Sequence, residues 1–511
     1  NRIFNRRMDQ LKAGALLSYV VLGLNTLIGL LYTPFMLRML GQSEFGLYSL
    51  AASVIAYLTV LDLGFGNAIV RYTAKFRAEG KQEEQYEMFG MFFLLYLFIS
   101  ALAFILGLFL VGNVDCLFDT HMTTDEIGKI RLMLLLMAFN LAFTFPMSIW
   151  GAIITAYENF VFQKIINIAR ILLNPIVMIV LLLFGYKAVA MVVVTTFFNV
   201  ATLVINWIYC KRKLHIHLRF THFKWDFLKE VSIYSFWIFL NAIIDRIYWS
   251  TGQFVLGIFR GAAMVAVYAV AIQLSNLYIM FSTAISGLFL PKVMAMVTRN
   301  EDRKVISDLF IRTGRIQFIV IAFVLAGFII FGRQFILLWA GEGYENAYWI
   351  SLLFFIPLTV PLIQNLGITI LQARNEMKFR STLYVIIAIV SLGLSIPMAK
   401  SYGGIGCAFA TALALTAGQI VVMNIYYQRK QDIDIIKFWK EIGKMSIIPF
   451  VVTLFSLLLI WKMDIDISNI TRLAGGIVLF SLFYLPLSWF GSMNASERSL
   501  FSGMILKLIK R

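Results

Sequence analysis

Apolar blocks of about 20 or more residues recur from one end of the chain to the other, and this recurrence limits the fold more than any motif does. A helix of about 20 residues crosses the roughly 30 Å hydrocarbon core of a bilayer with its backbone groups paired internally. The 511 residues are 60% hydrophobic and 14% charged, and the mean hydropathy is +0.83. A soluble protein of this length would need a far more charged surface. The expected fold is therefore all-α and polytopic. Fourteen spans are read at roughly 14–37, 45–70, 88–112, 131–155, 165–185, 188–210, 232–258, 262–291, 316–340, 348–371, 382–399, 403–427, 446–463 and 470–491.

The net charge of +17 is organised by this topology. With the basic segment "NRIFNRRMDQLK" read as the cytoplasmic flank of span 1 rather than a signal peptide, cytoplasmic segments hold 33 of the 44 Lys and Arg. About nine lie outside, and Arg170 and Arg246 fall within spans. Short loops biased in this way obey the positive-inside rule and favour anionic lipids, so nucleic acid is not an expected partner. Both termini are expected in the cytoplasm. Three cysteines, Cys116, Cys210 and Cys407, make no disulfide framework. His215, His217 and His222 sit in a basic loop without companion Cys or carboxylates, and read as interfacial rather than metal-binding. No cofactor or metal is expected.

An internal repeat is visible. "FMLRMLGQSEFGLYSLA" at 35–51 aligns without gaps with "VLGIFRGAAMVAVYAVA" at 255–271, pairing Gly41 with Gly261 and Tyr48 with Tyr268. "AYENFVFQ" at 156–163 aligns with "ARNEMKFR" at 373–380, and "NWIYCKRK" at 206–213 echoes "NIYYQRK" at 424–430. The expected organisation is an N-lobe at 1–210 with spans 1–6, a cytoplasmic linker at 211–231 and a C-lobe at 232–427 with spans 7–12. Spans 13 and 14 and a cytoplasmic tail follow at 428–511. Six spans per repeat leave both lobes in the same orientation.

Ionised groups near a bilayer midplane cost about 2.5–3.5 kcal/mol on insertion scales and usually face a polar interior. In "WIFLNAIIDRIYWSTGQFVLG" (237–257), Asn241, Asp245 and Trp249 share a helical face, with Arg246 and Ser250 beside it. Asp245 and Arg246 form either a structural clamp or a cavity-lining site in which Arg246 offers a planar donor fork to phosphate. Asp62, in "VLDLGFGNAIVRY", is read as facing the interior, as a proton site or as a partner for a buried Arg. Gly64 and Gly66 would let another helix approach closely or let span 2 bend, and Arg71 reads as snorkelling to the cytoplasmic face. Arg170 either snorkels or lines the cavity. Asn25, Gln273, Asn276, Gln364 and Asn365 are further mid-span polar groups, suited to interhelical hydrogen bonds or to ligand contact. Pro34, Pro175, Pro291, Pro357 and Pro361 mark possible bends or span ends.

Catalytic signatures are missing. The sequence holds no P-loop and no loop large enough to shape a catalytic pocket, so an enzyme is not expected. Two repeated lobes with polar groups at the midplane describe a secondary transporter.

The stretches "LGQSEFGLYSL", "LDLGFGNAIVRY" and "DRIYWSTGQFVLG" resemble the polysaccharide transporter family, the Wzx-like O-antigen and exopolysaccharide flippases of the multidrug/oligosaccharidyl-lipid/polysaccharide superfamily. The resemblance covers the whole chain in length, span count and loop pattern. It implies two six-helix lobes around a central cavity, with two extra helices. The implied activity is transfer of an undecaprenyl-diphosphate-linked oligosaccharide across the bacterial cytoplasmic membrane, by alternating access driven by an ion gradient or the membrane potential. A polysaccharide polymerase and chain-length proteins are the implied protein partners.

Positions matching the family pattern are Asp62, Gly64, Arg71, Asp245 and Arg246. The candidate substrate contacts are Arg246, Asp245, Asn241, Asp62, Arg170 and Gln273, with Asp62 and Asp245 also candidates for ion coupling. Two other readings stay open. A drug or cation antiporter of the same superfamily would use the midplane acids. A membrane polymerase or glycosyltransferase would need catalytic acids among Asp115, Asp119, Asp125 and Glu126 of the largest external loop.

Overall fold

The computed structural model describes residues 2–502 except 119, 222–223, 287–292, 294–295, 297–298, 300, 375 and 500. Side chains of 2–16 and of a few further helical positions, Asn241 among them, also fall outside the described residues, as do His222 and Pro291. Every regular element among the described residues is a helix. The chain divides into two compact units, Asn1–Ala266 and Val267–Arg511.

The first unit holds α1 (Arg2–Leu40), α2 (Gln42–Leu58), α3 (Phe65–Ala78), α4 (Gln82–Gly112), the short α5 (Val114–Phe118), α6 (Thr124–Ala156), α7 (Phe160–Leu183), α8 (Ala188–Arg212) and α9 (Trp225–Arg260). After α10 (Ala262–Ser286), the second unit continues through α11 (Arg303–Trp339), α12 (Asn346–Ile363), α13 (Leu366–Ala373), α14 (Met377–Leu415), α15 (Met423–Lys430), α16 (Ile435–Met463) and α17 (Ile470–Gly491).

Among the described residues, eleven helical stretches are long and apolar enough to cross a membrane. One of them, Met377–Lys430, bends at Gly403 (φ 63°) and takes up both expected spans 382–399 and 403–427. The expected spans at 45–70 and 232–258 lie on α2 with α3 and on α9. The fold is thus all-α and polytopic.

Lipid as solvent explains how one helix is apolar on every side. α4 buries Phe89, Phe92, Tyr96, Ile99 and Ala103, yet exposes Phe98, Ile105 and Phe109 at 62–69%. The buried row joins Phe145 and Trp150 of α6 in the core of the first unit.

The segment joining α8 to α9 is fastened to the start of α4. The Arg219 amide donates to the Tyr86 carbonyl (3.2 Å), Phe220 packs on Phe93, and Ile216 is fully buried. Tyr86 donates to the His215 carbonyl (3.5 Å) and meets the edge of the His217 ring, so these two histidines act in packing. Among the described residues no group of three or more His, Cys, Asp or Glu is placed to hold a metal.

Candidate functional site

Span 2 is two helices rather than one. α2 ends at Leu58, a tight turn runs over Thr59–Asp62, and Leu63 (φ 54°) and Gly64 (φ 72°) turn left-handed before α3. Glycine reaches that conformation without strain, which is why the bend falls there. Asp62 stands at the break. Its carboxylate accepts from the Gly64 amide and from Tyr96 Oη of α4 (2.9 Å). Tyr96 is fully buried, stacked on Phe145 and edge-on to Phe65. The carboxylate is therefore oriented by its own unit and remains partly exposed. Arg71, farther along α3, is exposed beside the Tyr72 ring.

α9 carries the second set of candidates. Ile244, Tyr248, Thr251 and Val255 recur at helical spacing and are all buried. This row packs the helix on its neighbours: Tyr57 Oη of α2 meets Thr251 Oγ1 at 2.5 Å, and the Tyr57 ring stands edge-on to Phe254. Lower on α9, Tyr72 Oη donates to Glu230 (2.9 Å), and Phe227 packs on Tyr72. Asp245 and Arg246 are both exposed, and the helical spacing turns them off this buried row.

The structure thus brings Asp62 and the α9 candidates onto one packed assembly of α2, α3 and α9. Arg170 lies on a different seam, half-buried on α7, which packs on α1 and α8. Gln273 is half-buried on α10. Gln364 interrupts span 10 between α12 and α13. Its amide exchanges hydrogen bonds with Asn424 (2.8 and 3.2 Å), which also accepts from Trp439 Nε1 (3.0 Å). These bonds join the helices around the break in span 10.

Three features escape the sequence reading. In the motif "LGQSEFG", Glu44 accepts from Lys129 Nζ (2.6 Å) and from the Ala188 amide at the start of α8 (3.1 Å). Ser43 donates to Glu126 (2.5 Å), which forms a capping box with Thr123. Asp115 pairs with Arg131 and Asp125 with Lys129, so these acids of the expected external loop are held in ion pairs; Asp119 lies outside the described residues. The signal for Glu44 was the motif itself.

In the second unit, Arg315 is 7% exposed. Its guanidinium makes two bonds to Glu497 (2.6 and 3.0 Å) and one to Glu441 (2.7 Å), tying α11 to α16 and to the segment after α17. Third, an apolar groove of about 490 Å³ runs among α11, α16 and α17, lined by Phe331, Val452, Phe455, Gly476, Phe480 and Phe483.

A family described as "Polysaccharide biosynthesis protein" matches residues 11–297. A Shigella flexneri protein named "Putative O-antigen transporter" is 21% identical over 405 residues, covering 78% of this chain and 94% of its own. A Haloferax volcanii protein named "Probable flippase AglR" is 21% identical over 411 residues, covering 78% and 80%. Among solved structures, the lipid II flippase MurJ in an inward closed conformation superposes with a TM-score of 0.69 at 17% identity, over 93% of this chain and 99% of that one. An inward-facing multidrug resistance MATE family transporter of the MOP superfamily gives 0.63 at 15% identity, over 83% and 99%. At these identities the structural likeness establishes the fold.

Proposed function

Because the chain belongs to the polysaccharide biosynthesis protein family, we propose that it is a lipid-linked oligosaccharide flippase of the multidrug/oligosaccharidyl-lipid/polysaccharide superfamily. The substrate is an undecaprenyl-diphosphate-linked oligosaccharide, moved from the inner to the outer leaflet of a bacterial cytoplasmic membrane. The relatives named as an O-antigen transporter and a flippase support this reading. A polymerase and chain-length proteins would use the product on the far side.

The observation that carries it is the exposed Asp245 and Arg246 on α9. Charges at that depth need water, protein or a polar ligand beside them rather than hydrocarbon. A sugar diphosphate cannot cross the membrane alone, because its phosphates and hydroxyls would lose their hydration. Arg246 would supply a donor fork to the diphosphate. Asp62, oriented by Tyr96, is the candidate for coupling transfer to an ion gradient. The apolar groove of the second unit suits the polyprenyl tail.

The test is leaflet transfer of a labelled undecaprenyl-diphosphate oligosaccharide in proteoliposomes, comparing native protein with Arg246→Ala. Transfer by the native protein that falls at least tenfold on substitution supports both the activity and the phosphate contact. Transfer unchanged by the substitution keeps the flippase and returns Arg246 to a structural role. No transfer under an imposed proton or sodium gradient rejects the flippase.

A further inference from the structure

α7 has two unlike faces. Ile165, Leu172, Ile176 and Val180 are 41–56% exposed and form its lipid-facing side. Roughly opposite, Gln163, Asn167, Arg170 and Asn174 recur at i, i+4, i+7 and i+11, all half-buried. The same row continues to Met178, 2% exposed, so it is the protein-facing side of the helix.

Its first member is anchored. Gln163 donates to the Gly151 carbonyl of α6 (2.7 Å) and accepts from Thr155 (3.0 Å). The buried Asn206 of α8 lies against the same glycine, so three helices meet at Gly151, Gln163 and Asn206. Seven residues from that junction along each helix, Thr144, Arg170 and Asn199 return to the same face about 10 Å deeper. There Asn199 Nδ2 donates to Asn140 Oδ1 and Thr144 Oγ1, both at 2.8 Å. Among the described residues, Asn167, Arg170 and Asn174 have no hydrogen-bond partner. Three half-buried polar groups left unpaired inside a membrane require water or a ligand.

The chemistry of the face is selective. The sequence contains no Asp or Glu from 127 to 157 or from 159 to 225, so all of α7 and α8 and the membrane part of α6 lack a carboxylate. No carboxylate on this face would neutralise a bound cation. Amides donate and accept side by side, as vicinal hydroxyls require, and one guanidinium donates to a hydroxyl or an oxyanion.

We propose that Asn167, Arg170 and Asn174, with Asn140, Thr144 and Asn199, form a saccharide-reading face that contacts the sugar part of the transported lipid. This rests on the flippase reading and deepens it: the diphosphate is assigned to α9, and the sugars to the α6–α7–α8 seam. The row from Gln163 to Asn174 covers about 16 Å along the helix, enough for several sugar rings.

The test uses full-length protein carrying Cys116→Ser, the two remaining cysteines being buried. Asn167→Cys, Arg170→Cys and Asn174→Cys are compared with the lipid-facing Ile165→Cys and Leu172→Cys for reaction with a water-soluble maleimide. The polar row should react at least tenfold faster. Lipid-linked oligosaccharide extracted from the source strain should slow that reaction at least threefold, while undecaprenyl diphosphate without sugar should not. Asn167→Gln and Asn174→Gln, which keep the amide, should retain more transfer than Asn167→Leu and Asn174→Leu at equal folded yield.

Uniformly slow labelling would overturn the proposal, because the face would then be sealed by protein. Equal protection by the sugar-free lipid would also overturn it, since the face would then read phosphate. Either result with transfer intact leaves the flippase standing. Absence of transfer by the native protein rejects both.

Discussion

Gly41 and Gly261 adopt one backbone conformation 220 residues apart, with φ 81° and ψ 165° at the first and φ 84° and ψ 179° at the second. One turns α1 into α2 and the other turns α9 into α10, so the alignment of 35–51 with 255–271 marks the same corner built twice. This region of φ and ψ is essentially reserved for glycine. Gly41→Ala should cost about 1–3 kcal/mol from backbone strain alone, because a Cβ there meets nothing within 4 Å. Gly261→Ala should cost more, since its Cβ would also press on the His121 carbonyl at 3.0 Å. Thermal unfolding of the purified variants in detergent measures both; equal losses would mean that the crowding at Gly261 is relieved at no cost.

Asp62 and Tyr96 separate orientation from charge. Asp62→Asn keeps an oxygen that accepts from Tyr96 Oη and from the Gly64 amide, so folding stability should fall by less than about 1 kcal/mol. If the charge couples transfer to an ion, transport driven by an imposed gradient should fall at least tenfold in the same variant. Tyr96→Phe should do the reverse. A hydrogen bond to a charged group is worth about 1.5–3 kcal/mol, so stability drops while gradient-driven transfer per folded molecule is largely kept. Paired unfolding and transport measurements decide, and an Asp62→Asn protein with native transport removes Asp62 from coupling.

Hydropathy finds the membrane spans because burial and lipid contact reward the same residues, so Phe92 inside and Phe98 outside read alike. It does not find where a span breaks. The sequence around Asp62 permits a bend, and Gly64 takes it, yet the carboxylate at the break is oriented by Tyr96, which comes from another helix. Arg315 shows the limit clearly. It reads as a cytoplasmic flank because it sits one residue outside an apolar block, while its partners Glu441 and Glu497 lie 126 and 182 residues away. Asp245, Arg246 and Arg170 stand out in sequence as charges among apolar residues. Asn167 and Asn174 are neutral: helical spacing sets them on the face of Arg170, but only the exposure pattern of α7 shows that this face is turned to protein.

Glu44 belongs to the stretch that most identifies the family, yet its contacts are architectural. Glu44→Ala would leave Lys129 with Asp125 alone and the Ala188 amide without its acceptor. The expected loss is about 1–3 kcal/mol of stability and a lower folded yield, with transfer per folded molecule unchanged. Glu44→Gln should recover part of the stability, since its carbonyl still accepts from the amide. Transport normalised to monodisperse protein is the measurement; a tenfold fall at normal stability would move the motif into the transport path.

The Arg315 cluster fastens the two additional spans to α11, and its energetics are asymmetric. Breaking a buried pair by removing one partner typically costs about 3–5 kcal/mol, because the remaining charge stays buried. Arg315→Met alone strands Glu497, which is 1% exposed. Arg315→Met with Glu441→Leu and Glu497→Gln removes the three charges that meet at Arg315 and leaves the exposed Lys444 beside them. It also keeps an oxygen at 497 to accept from the Asn494 amide (2.9 Å), so its stability should lie within about 1–2 kcal/mol of native. Unfolding of the single and triple variants should therefore be strongly non-additive. Transport by the triple variant then tests whether the spans need only to be attached or need this particular polar joint. Native-like stability with lost transport would assign the cluster a role in the transport cycle, and retained transport would make it a fastening alone.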